Sequence, residues 1–118
     1  MKRVLLLFIL FIYLNQIYIF ALHEEQFLTP SGVKVELLYR AFEPGEVVVV
    51  AIKDGSSVKD AWIRFLGGKY PMGKSETNSG LLAFIGLDLG LEPGSYDLEI
   101  FVDKELGERE QIKKQISV

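Results

Sequence analysis

Residues 81–102 read LLAFIGLDLGLEPGSYDLEIFV, and their spacing decides the fold class. Leu81, Ala83, Ile85, Leu87 and Leu89 share one phase of a two-residue period. Pro93-Gly94 then supplies a turn, after which Tyr96, Leu98, Ile100 and Val102 alternate with Asp97, Glu99 and Asp103. Successive side chains of a strand point to opposite faces, so each run has one face for a core and one for solvent. The reading is of two strands joined by a turn.

Working toward the N-terminus, residues 73–80 (GKSETNSG) form a polar loop, and residues 60–66 (DAWIRFL) place Ala61, Ile63 and Phe65 on one face and Trp62, Arg64 and Leu66 on the other. Gly67-Gly68 turns the chain into residues 69–72. Asp54-Gly55 is turn chemistry that allows a residue at positive φ. Residues 46–53 (EVVVVAIK) are apolar without a break, which marks a central strand covered on both faces or partly covered by a partner. Residues 33–39 alternate Val33, Val35, Leu37 and Tyr39 against Lys34 and Glu36, with Leu38 breaking the pattern and the charged side wet. On the C-terminal side a charged hairpin at 104–108 leads to a last strand with Ile112, Ile116 and Val118 on one face. Turn residues recurring every ~8–12 positions between short β-prone runs are the texture of an all-β sandwich. No sustained 3.6-residue apolar period occurs after residue 22, so no substantial helix is expected there.

The first residues differ. Lys2 and Arg3 precede an unbroken apolar run at 4–14 that fits the h-region of a secretory signal, with cleavage after Ala21 the natural site. An uncleaved signal anchor is the rival, since residues 4–22 hold no charge, and only then would the chain touch a membrane. The positive flank places everything after residue 22 outside the cytoplasm in both cases, so a periplasmic or extracellular domain is expected. The division is a signal at 1–21, a linker at 22–32 and one domain at 33–118. Beyond residue 21 there are 11 basic and 16 acidic residues, a net charge of −5, which argues against a nucleic-acid partner. With no cysteine and only His23, there is no thiol nucleophile, no Cys-ligated zinc and no triad. The acids sit at strand ends or on wet faces rather than as a catalytic pair. No enzyme activity, metal or cofactor is expected.

Three stretches, residues 43–52 (EPGEVVVVAI), 61–72 (AWIRFLGGKYPM) and 81–102, resemble the immunoglobulin-like accessory domain that precedes the catalytic domain of some LytM/lysostaphin-type peptidoglycan endopeptidases. The family's zinc peptidase needs His-x-x-x-Asp and His-x-His elements, and this chain has neither. The resemblance therefore implies an immunoglobulin-like β-sandwich of ~7 antiparallel strands behind a hydrophobic signal helix, acting in the cell envelope as a binding or positioning module. Its implied partners are a peptidase domain, another envelope protein, or cell-wall glycan or peptide. The alternative is a structural subunit of a surface or secretion machine working through an edge strand.

Seven residues are singled out. Tyr96, just after Pro93-Gly94-Ser95, matches a tyrosine corner, whose hydroxyl bonds back to upstream backbone. Trp62 and Arg64 on an outer face either pack together by cation–π attraction or anchor a partner. Tyr70 and Met72 beside the polar loop form an apolar lip for recognition, unless Met72 faces the core. Phe84 and Phe101, opposite their strands' main apolar rows, would join Trp62 in one outer patch.

Overall fold

The computed structural model describes residues 2–19, 22–76 and 78–118. Helix α1 (Lys2–Ile19) is followed by strands β1 (His23–Leu28), β2 (Lys34–Tyr39), β3 (Val47–Ile52), β4 (Val58–Phe65), β5 (Gly68–Pro71), β6 (Gly73–Lys74), β7 (Leu81–Gly86), β8 (Ser95–Lys104) and β9 (Arg109–Ser117). The side chains at 4–11 of α1 are exposed. Among the described residues, no helix is long and apolar enough to cross a membrane. Ala21, where cleavage is expected, lies outside the described residues.

The strands form two antiparallel sheets, one ordered β1-β2-β3-β7-β6 and the other β5-β4-β8-β9. The sheets pack face to face in a sandwich-like arrangement, because the inner row of every long strand is apolar. Val35, Leu37, Val48, Val50, Ile52 and Ile85 come from the five-stranded sheet, and Ala61, Ile63, Phe65, Leu98, Ile100 and Val102 from the four-stranded one. All of these are essentially removed from water. Burial at ~25 cal/mol per Å² of apolar surface is the main source of stability in such a two-layer body.

Several expectations change on the structure. The predicted linker at 22–32 contains β1, which pairs with β2 from His23↔Tyr39 to Leu28↔Lys34. HEEQFL is too polar to be read as a strand, and the strand exists because only alternate residues need cover. Phe27 packs on the core, while Glu25 pairs with Lys114 at 3.6 Å. Lys114 Nζ also lies 5.3 Å from the centre of the Phe27 ring. With β1 and the two-residue β6, nine strand segments among the described residues replace the seven or so expected. The predicted loop at 73–80 opens with β6, whose Gly73 pairs with Leu82 and Lys74 with Leu81. Leu89 leaves the β7 phase and is exposed, because the strand ends at Gly86 and an Asp88 turn follows, with Leu91 N donating to Asp88 O at 3.0 Å.

Two turns also differ in their chemistry. The β4–β5 turn residues are Leu66 and Gly67, with φ of 50° and 76°, while Gly68 already pairs with Phe65 as the first residue of β5. A leucine held in the left-handed region costs about 1 kcal/mol relative to glycine. Gly55 is needed for close approach rather than for positive φ. A Cβ there would lie 2.4 Å from Ser79 O, the carbonyl that accepts the Gly55 N–H at 2.9 Å.

Candidate functional site

The outer face of the four-stranded sheet carries the residues that the sequence brings forward first. Trp62 and Phe101 are cross-strand neighbours on β4 and β8, and their rings stack with centroids 5.3 Å apart and planes 8° from parallel. Arg64 Cζ sits 5.4 Å from the Phe101 centroid, and Lys69 Nζ and Arg109 Cζ each sit 4.8 Å from that of Trp62. Arg109 is itself fixed by Asp103, its Nε donating to Oδ1 at 2.7 Å. That hydrogen bond, with the charge attraction behind it, holds the Asp103 carboxyl below its usual range and raises the guanidinium. Lys113 and Asp97 pair farther along at 3.8 Å. The indole is thus stacked on one side by a ring and attended by cations of its own chain, so most of its π surface is already engaged.

Tyr70 and Met72 do not join this face. Met72 is 5% exposed and belongs to the core. It sits where the chain leaves β5 in one sheet to begin β6 in the other, with its N–H donating to Ala61 O at 2.9 Å. Crossing between the layers draws the side chain inward. Tyr70, opposite inward Ile63 on β4, alternates inward and packs half-buried against the core. It lines a cleft of about 440 Å³ together with Phe65, Leu66, Gly86 and Leu87. Phe84 parts from Trp62 and Phe101 as well, since β7 belongs to the five-stranded sheet.

That sheet's outer face is the apolar one. Residues Val47, Val49 and Ala51 of β3 point away from the core that Val48, Val50 and Ile52 enter. Register places Leu38, Val49 and Phe84 in one cross-strand row, and Glu36, Ala51 and Leu82 in the next. Phe84 is 63% exposed, Val47 46% and Leu82 42%. Beside Phe84 and Leu82 lies a groove of about 710 Å³ bordered by Ala51, Lys53, Gly73 and Lys74. Monomeric proteins seldom leave a contiguous apolar surface uncovered on a sheet face unless something binds there.

Glu36, expected on a wet face, is 1% exposed on this surface. Its Oε1 accepts from Gln26 Nε2 at 3.4 Å, and Lys53 Nζ lies 3.5 Å from Oε2, an ion pair without hydrogen-bond geometry. A glutamate in an alternating strand reads as solvent-facing, and only the pairing of β2 with β1 on one side and β3 on the other brings Gln26 and Lys53 beside it. Two signals for the apolar face do exist in the sequence: the unbroken VVVVAI of β3, and Leu38, where the alternation of β2 fails.

Other polar contacts lock the frame. The Tyr96 hydroxyl donates to the Glu92 carbonyl at 2.6 Å, four residues upstream across the Pro93-Gly94 turn. Glu110 on β9 accepts from Thr29 Oγ1 at 3.0 Å and from Ser31 N–H at 2.8 Å, tying the β1–β2 turn to the opposite sheet. The Ser31 hydroxyl also donates to Glu110, and these bonds hold that carboxyl below its ordinary range. Among the described residues, no group of three or more His, Asp or Glu side chains is placed to hold a metal ion. Comparison with family models, curated proteins and solved structures finds no match for this chain.

Proposed function

We propose that this chain is a non-catalytic binding module of immunoglobulin-like type, exported behind its N-terminal helix, that docks a polypeptide of the cell envelope through the outer face of its five-stranded sheet. The carrying observation is that exposed apolar face, centred on Val49, Leu82 and Phe84. A sheet needs only one apolar face to pack, and the second is stabilising only when another surface removes it from water. The one histidine and the absent cysteines leave little with which to make or break covalent bonds. The three stretches quoted above support an accessory role beside a peptidoglycan endopeptidase. A polypeptide is favoured over a cell-wall glycan because the open surface is made of aliphatic side chains and a phenylalanine, with few hydroxyl-binding groups.

The test is photo-crosslinking in the producing cell, with a benzophenone amino acid placed at position 84 or, separately, at position 62. The reading expects one discrete polypeptide adduct from position 84 and none from position 62. Adducts from 62 alone, or from neither, would remove the five-stranded face as the docking surface.

A further inference from the structure

The edge of the five-stranded sheet at β7 is incomplete, and its backbone directions can be read from the turns that flank it. Leu87, which continues β7, turns both polar groups toward β3: its N–H donates to Glu46 O at 2.8 Å, and its carbonyl accepts from Gly45 N–H at 2.7 Å. At the other end, Gly80 O accepts from Ser75 N–H at 2.8 Å, on the β6 side. Strand backbone alternates with a period of two, so Leu82, Phe84 and Gly86 aim their N–H and C=O groups away from β3. Gly73 of β6 pairs with Leu82. The residues before Gly73 belong to the other sheet, and among the described residues no strand pairs with Phe84 or Gly86 on that side.

What flanks this gap has the geometry of a strand site. On its outer side lies the 710 Å³ groove floored by Leu82 and Phe84; on its inner side lies the 440 Å³ cleft where Gly86 and Leu87 face Phe65 and Tyr70. An extended chain laid along the gap sends successive side chains to opposite sides, one onto Phe84 and the next toward Tyr70. A helix cannot do this, because its neighbouring side chains do not alternate across a plane. A Cβ on Gly86 would meet nothing within 4 Å, so backbone can approach closely there. Lys53 and Lys74 border the outer groove. Lys53 is engaged with Glu36, whereas Lys74 has no ion pair among the described residues, which favours an acidic residue at the β6 end of the segment.

From this geometry we infer that β7 accepts an added strand at residues 84–86: an extended, apolar segment of another polypeptide, with alternate side chains in the two cavities and an acid beside Lys74. This deepens, and rests on, the docking role proposed for that face. It is the β-augmentation mode, in which backbone pairing gives affinity and alternate pockets give selectivity.

The probe is a capped octapeptide of alternating valine and phenylalanine followed by two aspartates, which antiparallel pairing with β7 places at the β6 end, titrated into the full chain and followed by amide NMR. Two further versions carry N-methyl groups on alternate peptide nitrogens, in one phase or the other. Strand addition predicts slowed exchange at the Phe84 and Gly86 amides. It also predicts at least ~10-fold weaker binding for one methylated phase and little change for the other, since only one phase faces the edge. Gly86→Pro, which removes an outward N–H without touching the β3 side, should weaken the parent peptide by a similar factor. If that variant does not fold, the two methylated peptides still decide. Equal binding of all three peptides, with shifts at Leu38 and Val49, overturns strand addition while leaving face docking intact. No binding by the parent peptide at millimolar concentration overturns it as well. Loss of crosslinking from position 84 would instead remove the docking reading itself.

Discussion

The two outer faces of this molecule are built from the same alternation and end in opposite states. On the four-stranded face, each aromatic ring has a cation or another ring beside it, and Arg109 with Asp103 and Lys113 with Asp97 are paired across strands. On the five-stranded face, Phe84, Leu82 and Val47 stand open to water, with buried Glu36, paired to an exposed Lys53, beside them. A bulky aromatic on a strand's outer side is therefore a poor guide to function by itself. What distinguishes a docking surface is whether the chain has already satisfied its own exposed groups.

The largest effect that would sharpen this contrast is on stability. Trp62→Ala removes the stack on Phe101 and two cation contacts from a half-buried site, and should cost about 2 kcal/mol in urea denaturation. Phe84→Ala should change stability by no more than about 0.5 kcal/mol, because the ring is mostly exposed, yet it should abolish partner adducts. If Phe84→Ala were as destabilising as Trp62→Ala, the open face would be structural and the contrast would fail. Next in size, Tyr96→Phe should cost about 1 kcal/mol through loss of the hydroxyl bond to Glu92 O, while leaving both outer faces unaltered. A comparable change of opposite sign is expected at the β4–β5 turn. There Leu66→Asn relieves the positive φ and should raise stability by about 0.5–1 kcal/mol. Because Leu66 also lines the inter-sheet cleft, the same substitution should weaken the octapeptide if that cleft receives a side chain.

The smallest expected effect concerns pH. Glu110 is held below its ordinary range by hydrogen bonds from Ser31 and Thr29, so the unfolded chain takes up its proton before the folded one does. The resulting stabilisation is complete above the unfolded-state value and is lost as pH falls through the folded-state value. Melting temperature should therefore decline on acidification across the carboxylate range, and Glu110→Gln should flatten that slope. An unchanged slope would mean that the clamp between the β1–β2 turn and β9 contributes nothing. Neither outer face should respond, since Glu110 lies opposite inward Val102 and belongs to neither.

Much of the fold was legible because a period of two is a local property. The faces of β4, β7 and β8 follow directly from Ala61/Trp62, Ala83/Phe84 and Ile100/Phe101. The reading fails where burial is decided by distant chain. HEEQFL becomes a strand through Lys114 and the hydrogen-bonding edge of β2, neither of which is visible in six residues of which four are polar. Tyr70 and Met72 looked like a lip because alternation says nothing about a chain that changes sheets in mid-run. The candidate site shows the same division. The apolar composition of β3 and β7 was visible, but their placement side by side, with β6 stopping short, is a matter of topology.

The crossing at Met72 also determines how the molecule can lengthen. Insertions after Ser75 lengthen a connection of polar sequence, whose closure entropy grows slowly with length. A single residue added between Pro71 and Gly73 is different: it reverses the phase of one flanking segment, expelling either Tyr70 or Met72 from the interior. Homologous chains should therefore vary freely in the number of residues after Lys74 and hold the spacing from Tyr70 to Gly73 fixed.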